Sequence, residues 1–138
     1  MSKKLDRLFS SKRIEARKSP LHGWGVFAKE DIEKGVILEQ SHGIFLPRDF
    51  FEAVNLPALR CNAFAFPKDT AHAEVMIPFG LGCVYNTLPK EQCNADWYFD
   101  EVNRIIIYYT IKDIKKDEEI VIDYYDELER WELKNKRI

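Results

Sequence analysis

The sequence predicts a mainly β fold with short helices, arranged as several small sheets. Short runs rich in Ile, Val, Tyr and Phe recur along the 138 residues, separated by turn residues such as Gly, Pro, Asn and Asp. Two turns share the pattern Asp-Ile-x-Lys, at residues 31–34 and 113–116, and each leads to a β-branched run. Hydrophobic residues make up 46% of the chain, enough for one ordinary core. We therefore expect one domain that contains two similar turn-and-strand units.

Each element follows from a local pattern. Ile14 and Ala16 alternate with charged residues, which predicts a first strand, and a loop with Pro and Gly then leads into a second. A short helix is expected at residues 49–54, inside a variable insert. A final helix from about residue 126 would place Leu128 and Trp131 on one apolar stripe. The other predicted strands are residues 24–28, 36–39, 72–77, 94–99, 103–111 and 119–123, with a hairpin turn at 100–103.

Charge is segregated along the chain although the formal net charge is only −2. Residues 1–18 hold seven basic side chains against Asp6 and Glu15, whereas residues 117–129 hold seven acidic side chains and no basic one. The acidic stretch has two interpretations, a solvated face or a docking surface for a basic peptide.

Several classes of protein are disfavoured by composition. The longest apolar runs fall short of the roughly 20 residues that a membrane-spanning helix needs, and the first residues lack the pattern of a secretory signal. Three separated cysteines give neither a disulfide framework nor a zinc site, and three scattered histidines fit no hydrolase motif. We expect an intracellular protein, either cytoplasmic or, if viral, in the host cell interior or nucleus, with buried cysteines and no bound metal.

Three short segments carry the chemistry. They are residues 19–28 (SPLHGWGVFA), 82–86 (GCVYN) and 117–125 (DEEIVIDYY), in that order. A Gly-X-Gly turn lets a backbone approach a ligand closely, an Asn amide both donates and accepts hydrogen bonds, and a Tyr closing an apolar strand supplies a fixed hydroxyl. Together the segments resemble a SET-domain protein-lysine methyltransferase of the minimal viral, phage or bacterial kind. The resemblance covers residues 12–126 and implies a SET-type β-clip fold with a knot-like C-terminal segment.

The resemblance also implies a role for each segment. The cofactor would be S-adenosyl-L-methionine (SAM), and its binding residues would be Gly23, Trp24, Gly25, Asn86, the backbone of Thr87, and Trp131. The catalytic residue would be Tyr124, and the substrate lysine would meet Trp97, Ile122 and Asp123. The family's Asn-His-Ser run reads Asn-Thr-Leu here. The chain then divides into a flexible or helical basic arm at 1–11, a SET-like domain at 12–126, and a C-terminal helix at 127–138 that closes the cofactor site.

A structural alternative accompanies each of these roles. Tyr124 could pack at a strand end, Asn86 could be a turn residue, and the indoles of Trp24, Trp97 and Trp131 could be core or strand aromatics. The domain as a whole also has two alternatives. One is a SET-like module that has lost catalysis and binds basic proteins, and the other is an unrelated β-clip interaction domain without affinity for SAM.

The function implied by the resemblance is SAM-dependent transfer of a methyl group to a lysine amine of a basic protein. We expect a histone-like or ribosomal protein or peptide as the partner, and neither a membrane nor direct contact with nucleic acid. A homodimer is a further expectation, because a second copy can complete the cofactor site of a minimal SET domain that lacks closing segments.

Overall fold

The computed structural model describes residues 3–54, 63–66 and 74–123. One α-helix, α1 (Arg48–Val54), and a short 3-10 helix (Lys90–Gln92) accompany the strands in this part of the chain. The strands are β1 (Ile14–Lys18), β2 (Trp24–Ala28), β3 (Ile37–Ser41), β4 (Gly43–Pro47), β5 (Phe64–Phe66), β6 (Glu74–Pro78), β7 (Asn86–Thr87), β8 (Ala95–Asp100), β9 (Ile105–Thr110) and β10 (Glu119–Ile122).

The larger sheet has seven strands and β10 lies near its centre. Its order is β1-β2-β10-β8-β9-β3, and β7 also pairs with β10. The pairs β1–β2, β2–β10, β8–β9 and β9–β3 are antiparallel, whereas β10 runs parallel to both β7 and β8. Strands that are far apart in sequence therefore meet at β10, which brings all three motif segments to one place.

The second sheet has the order β4-β6-β5. The variable insert was expected at residues 47–67, so it contains β5, whereas β4 ends where the insert begins and β6 follows it. Phe64 on β5 packs edge-on against Trp97 of the larger sheet, with 4.7 Å between ring centroids. Arg104, in the turn between β8 and β9, lies 4.0 Å from the ring centroid of Phe45 and binds both carboxylate oxygens of Glu74 at 3.1 Å. These contacts join the second sheet to the larger sheet.

The two Asp-Ile-x-Lys turns pack against each other with approximate twofold symmetry. Ile32 and Ile114 exchange both backbone hydrogen bonds, at 2.8 and 2.7 Å, and both side chains are buried. The Asp carboxylate of each turn accepts a hydrogen bond from the backbone N–H of the Lys in the other turn, at 2.8 Å in both directions. Gly35 and Asp117 occupy matching positions and have positive φ values of 84° and 70°. The internal similarity of the sequence is therefore a structural pair.

The N-terminal arm lies along the edge of the larger sheet. Phe9 and Gln40 exchange hydrogen bonds, Ser10 forms a β-bridge with Glu39, and the Ser11 N–H donates to the carbonyl of Leu38 at 3.0 Å. The sequence suggested a flexible or helical arm, but residues 3–11 contain no helix. The arm instead covers the free edge of β3, which would otherwise present unpaired backbone groups.

The main core is formed largely by side chains of the larger sheet, with Phe64 and Met76 of the second sheet packed against them. It includes Val26, Leu38, Tyr85, Tyr108, Ile120, Ile122 and neighbouring apolar side chains. Cys93 is buried as expected, Cys83 is only partly buried, and Cys61 lies outside the described residues. In the described ranges no three His, Cys, Asp or Glu side chains form a group that could hold a metal ion. No helix there is long and apolar enough to cross a membrane.

Candidate active site

Strand β10 joins the first two motif segments to the third. Val121 pairs with Asn86 of β7 in a parallel ladder, and Glu119 pairs with Phe27 of β2 in an antiparallel one. The loop before β2 therefore lies beside Asn86, although about 60 residues separate them in sequence. The first segment, Asn86 and the start of the third segment therefore lie together, and we treat them as the candidate site.

Asn86 is the centre of this site, and its side chain is 1% exposed. Its Nδ2 donates to the carbonyls of His22 and Trp24, at 3.0 and 3.3 Å, and to Oε2 of Glu119 at 2.8 Å. Three acceptors therefore fix the orientation of the amide. The Oδ1 atom is buried and has no hydrogen-bond donor among the described residues. Because a buried polar atom without a partner is costly, Oδ1 is suited to accept a hydrogen bond from a ligand.

Glu119 connects the loop to Asn86. Besides the bond to Asn86, its Oε1 accepts from the hydroxyl of Ser19 at 2.7 Å. Gly25 makes room for this carboxylate, since a Cβ atom at that position would overlap Oε2 of Glu119 and lie 3.0 Å from Nδ2 of Asn86. We call Ser19, Gly25, Asn86 and Glu119 the Asn86 cluster. In this site Gly25 therefore makes room for a protein side chain, a requirement that adds to its expected role at a cofactor.

Asn94 holds β10 in place. Its Nδ2 donates to the carbonyl of Glu119 and its Oδ1 accepts from the N–H of Val121, both at 2.9 Å. A side-chain amide thus mimics a neighbouring strand at the position where β10 carries the cluster. The sequence analysis included Asn94 only as the first residue of the predicted strand at 94–99, and its role in holding β10 was missed.

The remaining predicted cofactor residues in the described ranges flank the cluster. Gly23 has a φ of +46°, a conformation that favours glycine. The Trp24 side chain is 58% exposed, so its indole is no part of the core. Thr87 is buried, and its hydroxyl has no hydrogen-bond partner within the described part of the chain. The cofactor roles of these three residues stay predictions.

The predicted substrate residues lie at the end of β10 and on the neighbouring strand β8. Trp97 is 2% exposed, and its Nε1 donates to the carbonyl of Asp123 at 2.8 Å. Ile122 is fully buried in the main core, and Asp123 is 5% exposed. Trp97 therefore holds the backbone where β10 ends, as a core aromatic would. A direct contact of any of these side chains with a substrate stays a prediction.

Tyr124 and Trp131 lie outside the described residues, as do Tyr125 and the predicted C-terminal helix. The boundary between domain and helix near residue 126 also lies there. Tyr124 follows Asp123 directly, so the chain reaches the described site one residue before the candidate catalytic position. The roles of Tyr124 and Trp131 stay predictions from the sequence motifs.

Most described acids of the 117–129 stretch already have partners. Asp117 forms an ion pair with Arg17 at 2.8 Å, and a Glu118 carboxylate oxygen accepts from the backbone N–H of Lys115 at 2.6 Å. Glu119 belongs to the Asn86 cluster, and Asp123 is buried. Asp117 and Glu118 remain exposed. In the described part of this stretch, two exposed side chains rather than four carry the acidic surface.

A second buried carboxylate was missed by the sequence analysis. Glu39 is 4% exposed and accepts hydrogen bonds from the hydroxyl of Tyr85 and the N–H of Leu81, both at 2.9 Å. Burial raises the pKa of Glu39, although these hydrogen bonds oppose the shift. Because Tyr85 directly precedes Asn86, Glu39 holds the segment that leads into the site. The register of β3 shifts between residues 37 and 39, and a shift of this kind cannot be read from alternation.

With this geometry in place, comparison with known proteins identifies the family. A family model for the SET domain matches residues 23–125. The chain belongs to the SET-domain family. The matched range begins at Gly23 in the loop and ends at residue 125, the last residue of the third motif segment, so it contains Gly25, Asn86 and Glu119 of the Asn86 cluster.

Individual relatives of this SET-domain chain agree with the family match. It is 29% identical over 115 residues to a Schizosaccharomyces pombe protein named "Histone-lysine N-methyltransferase, H3 lysine-37 specific", which covers 83% of this chain and 75% of the relative. It is also similar to the crystal structure of a Plasmodium falciparum protein assigned as a histone methyltransferase, with a TM-score of 0.65, 28% identity, and coverage of 83% of this chain and 94% of that one. These matches confirm the prediction of a SET-class protein-lysine methyltransferase.

A second solved structure supports the fold alone. It is a humanized mutant of the Chaetomium thermophilum Polycomb Repressive Complex 2 bound to the inhibitor GSK126, with a TM-score of 0.66 at 24% identity. The match covers 86% of this chain but 15% of that one. The predicted mainly β, SET-type fold of several small sheets is thereby confirmed, whereas the C-terminal segment lies outside the described residues.

Proposed function

We propose that this SET-domain protein transfers a methyl group from SAM to the lysine side-chain amine of a basic protein. The observation that carries the proposal is the buried Oδ1 of Asn86, an acceptor without a donor among the described residues, in a site shaped by Gly25 and Glu119. SAM carries an α-ammonium group, which is a strong donor. The free acceptor atom of the site therefore fits the ammonium donor of this cofactor.

Asn86 would hold the amino-acid end of SAM through Oδ1, while the loop at Gly23 and Gly25 and the backbone of Thr87 would contact the rest. When bound, SAM supplies a methyl group on a sulfonium centre and leaves as a neutral thioether. The protein's own task is to align the lysine amine and to exclude water. Trp131 would pack on the cofactor from the C-terminal segment.

The lysine must reach the site as a neutral amine. A free lysine has a pKa near ~10.4, and removal from water lowers that pKa because burial disfavours the charged form. Ile122 at the end of β10 is fully buried, which supports an apolar environment for the amine. Tyr124 would place its hydroxyl oxygen near the amine and stabilise the positive charge that develops there. No strong general base is then required.

The substrate we propose is a histone-like protein, with a ribosomal protein as the second choice. The name of the Schizosaccharomyces pombe relative specifies a histone H3 lysine, which supports a basic protein substrate. An intracellular location, nuclear for a histone substrate, and a homodimer belong to the same proposal. The two non-enzymatic alternatives are not favoured by these relatives. The dimer is tested by sedimentation with and without cofactor.

The first test is calorimetric titration of the protein with SAM and with its demethylated product, S-adenosylhomocysteine (SAH). We expect saturable binding that Asn86→Ala abolishes. Asn103→Ala is the matched control, because Asn103 also makes side-chain hydrogen bonds but lies in the turn between β8 and β9. A folded wild-type protein that fails to bind either ligand would contradict the cofactor assignment.

The second test is methyl transfer to histone H3 and to ribosomal proteins. Tyr124→Phe is expected to abolish transfer while SAH binding is retained, because only the catalytic hydroxyl is lost. Tyr98→Phe is the control, since Tyr98 is an exposed tyrosine on β8. Full activity of Tyr124→Phe would remove Tyr124 from the mechanism and leave the cofactor site untouched.

A further inference from the structure

We infer that Glu119 is a positioning residue for cofactor binding, because its carboxylate ties the loop at residues 19–23 to Asn86. The two carboxylate oxygens are used separately. Oε1 accepts from the Ser19 hydroxyl at 2.7 Å, and Oε2 accepts from Nδ2 of Asn86 at 2.8 Å. Hydrogen bonds to a charged acceptor are stronger than neutral ones. One side chain therefore bridges the two parts of the proposed cofactor site, and the inference rests on the proposed function.

Ser19 is the residue through which this bridge controls the loop. Its backbone N–H donates to the carbonyl of Gly23 at 2.7 Å, which closes the loop. Its Oγ also accepts from the N–H of Leu21 at 2.9 Å. The hydroxyl thus accepts from the loop and donates to Glu119 at the same time. A displacement of Ser19 would therefore move Gly23 and the neighbouring carbonyls of His22 and Trp24.

The other end of the bridge is rigid. The backbone of Glu119 pairs with Phe27 of β2, and its carbonyl accepts from Nδ2 of Asn94 at 2.9 Å. Gly25 lies opposite and leaves the space that the carboxylate fills. The carboxylate is therefore placed by a strand that β2 and Asn94 hold in position.

Loss of the bridge should loosen the loop without destroying the fold. Asn86 keeps two acceptors when Glu119 is absent, the carbonyls of His22 and Trp24. His22 belongs to the loop and Trp24 is the first residue of β2, directly after the loop, so both carbonyls fix the amide only while this segment stays in place. Glu119 is the acceptor of the three that comes from β10. Its carboxylate therefore links both the loop and Asn86 to β10.

The test compares three variants by SAH calorimetry. Glu119→Met keeps the length of the side chain and removes both acceptors. Glu119→Gln keeps the bridge, because its oxygen can accept from Asn86 while its NH₂ donates to the Ser19 hydroxyl. Glu118→Met is the matched control, since it removes the same charge from the neighbouring residue, whose carboxylate bonds only to the turn among the contacts described here.

We expect the dissociation constant for SAH to rise about tenfold or more in Glu119→Met, at unchanged stoichiometry, since both hydrogen bonds of the bridge are lost. The dissociation constant of Glu119→Gln should stay within about threefold of the wild-type value, and that of Glu118→Met should equal the wild-type value. Rescue by Gln separates positioning from bulk destabilisation and from loss of charge. Equal affinity of Glu119→Met and wild type, or equal losses in Glu119→Met and Glu119→Gln, would overturn the inference.

Ser19→Ala provides a second test of the inference if Glu119→Met does not fold. It removes one arm of the bridge from a loop residue and should raise the same dissociation constant by a smaller factor; no change would overturn the inference. Absence of SAH binding by the wild-type protein is a distinct result, because it would contradict the proposed function first and this inference with it. Wild-type binding with unaffected variants would contradict this inference alone.

Discussion

Gly25→Ala should weaken cofactor binding by displacing a carboxylate. The new Cβ would overlap Oε2 of Glu119, lie 2.8 Å from its Cδ, and lie 3.0 Å from Nδ2 of Asn86. The strand backbone of β2 cannot shift easily, because it is paired with β1 and β10 on its two sides. The flexible part is the end of the Glu119 side chain. We therefore expect Glu119 to rotate away and to release both Ser19 and Asn86.

The size of the effect follows from the bonds that are broken. A hydrogen bond to a charged group contributes about 1.5–3 kcal/mol, and water recovers part of it because Glu119 is only half-buried. Alanine returns about 0.5–1 kcal/mol, since it restricts the unfolded chain more than glycine does. We expect a net loss of stability of about 1–2 kcal/mol in urea denaturation and a rise of about tenfold in the dissociation constant for SAH.

A double-mutant cycle decides whether this reasoning is correct. In a Glu119→Ala background the space beside residue 25 is open, so Gly25→Ala should cost little there and could stabilise the protein slightly. Both measurements, urea denaturation and SAH calorimetry, are made on all four proteins. Equal losses from Gly25→Ala in both backgrounds would refute the steric argument and would point to a direct role of the Gly25 backbone.

Three further predictions concern buried polar groups. The pKa of Glu39 is raised in the fold, so the free energy of unfolding should fall as pH rises from about 4.3 through the folded-state pKa. Glu39→Gln should lack this loss. A difference in unfolding free energy between wild type and Glu39→Gln that stays constant from about pH 4 to 7 would contradict the prediction. Trp97→Phe should cost about 1–3 kcal/mol by leaving the Asp123 carbonyl without its indole donor, whereas an unchanged urea midpoint would contradict that role. Thr87→Val should stabilise the protein by about 1 kcal/mol and Thr87→Ser should not; the thermal midpoints check this, and a lower midpoint for Val would reveal a partner for the hydroxyl.

Much of the fold could be predicted from local patterns. The strand at 24–28 has the bounds that the apolar run predicts, and the hairpin turn falls between β8 and β9 as expected. The short helix begins one residue earlier than predicted, at Arg48. These elements depend on nearest neighbours, such as turn residues and β-branched runs, which a single sequence displays. The predicted strand at 72–77 is observed as β6, Glu74–Pro78, within the described range.

The parts that were missed depend on contacts between distant residues. Ser19 and Glu119 are 100 residues apart, and no local pattern indicates that they share a hydrogen bond. Glu39 turns inward where the register of β3 shifts, so its alternation with Leu38 is lost and both side chains are buried. The arm at residues 3–11 lacks β alternation, although it forms a β-bridge at Ser10. Tertiary pairing decides all three.

The substitution of Thr87 for the family's His can be understood from the placement of the Asn86 amide. Successive side chains of a strand face opposite sides, so Asn86 shares a face with its ladder partner Val121, and Thr87 shares one with Ile122. The acceptors that orient Asn86 come from the loop and from Glu119, and none comes from residue 87. The side chain at 87 can therefore change without disturbing Asn86. What the site does require is a residue without Cβ at 25 and a carboxylate or amide at 119, and these are the positions where substitution should separate a SET-domain methyltransferase from a SET-like module that no longer binds its cofactor.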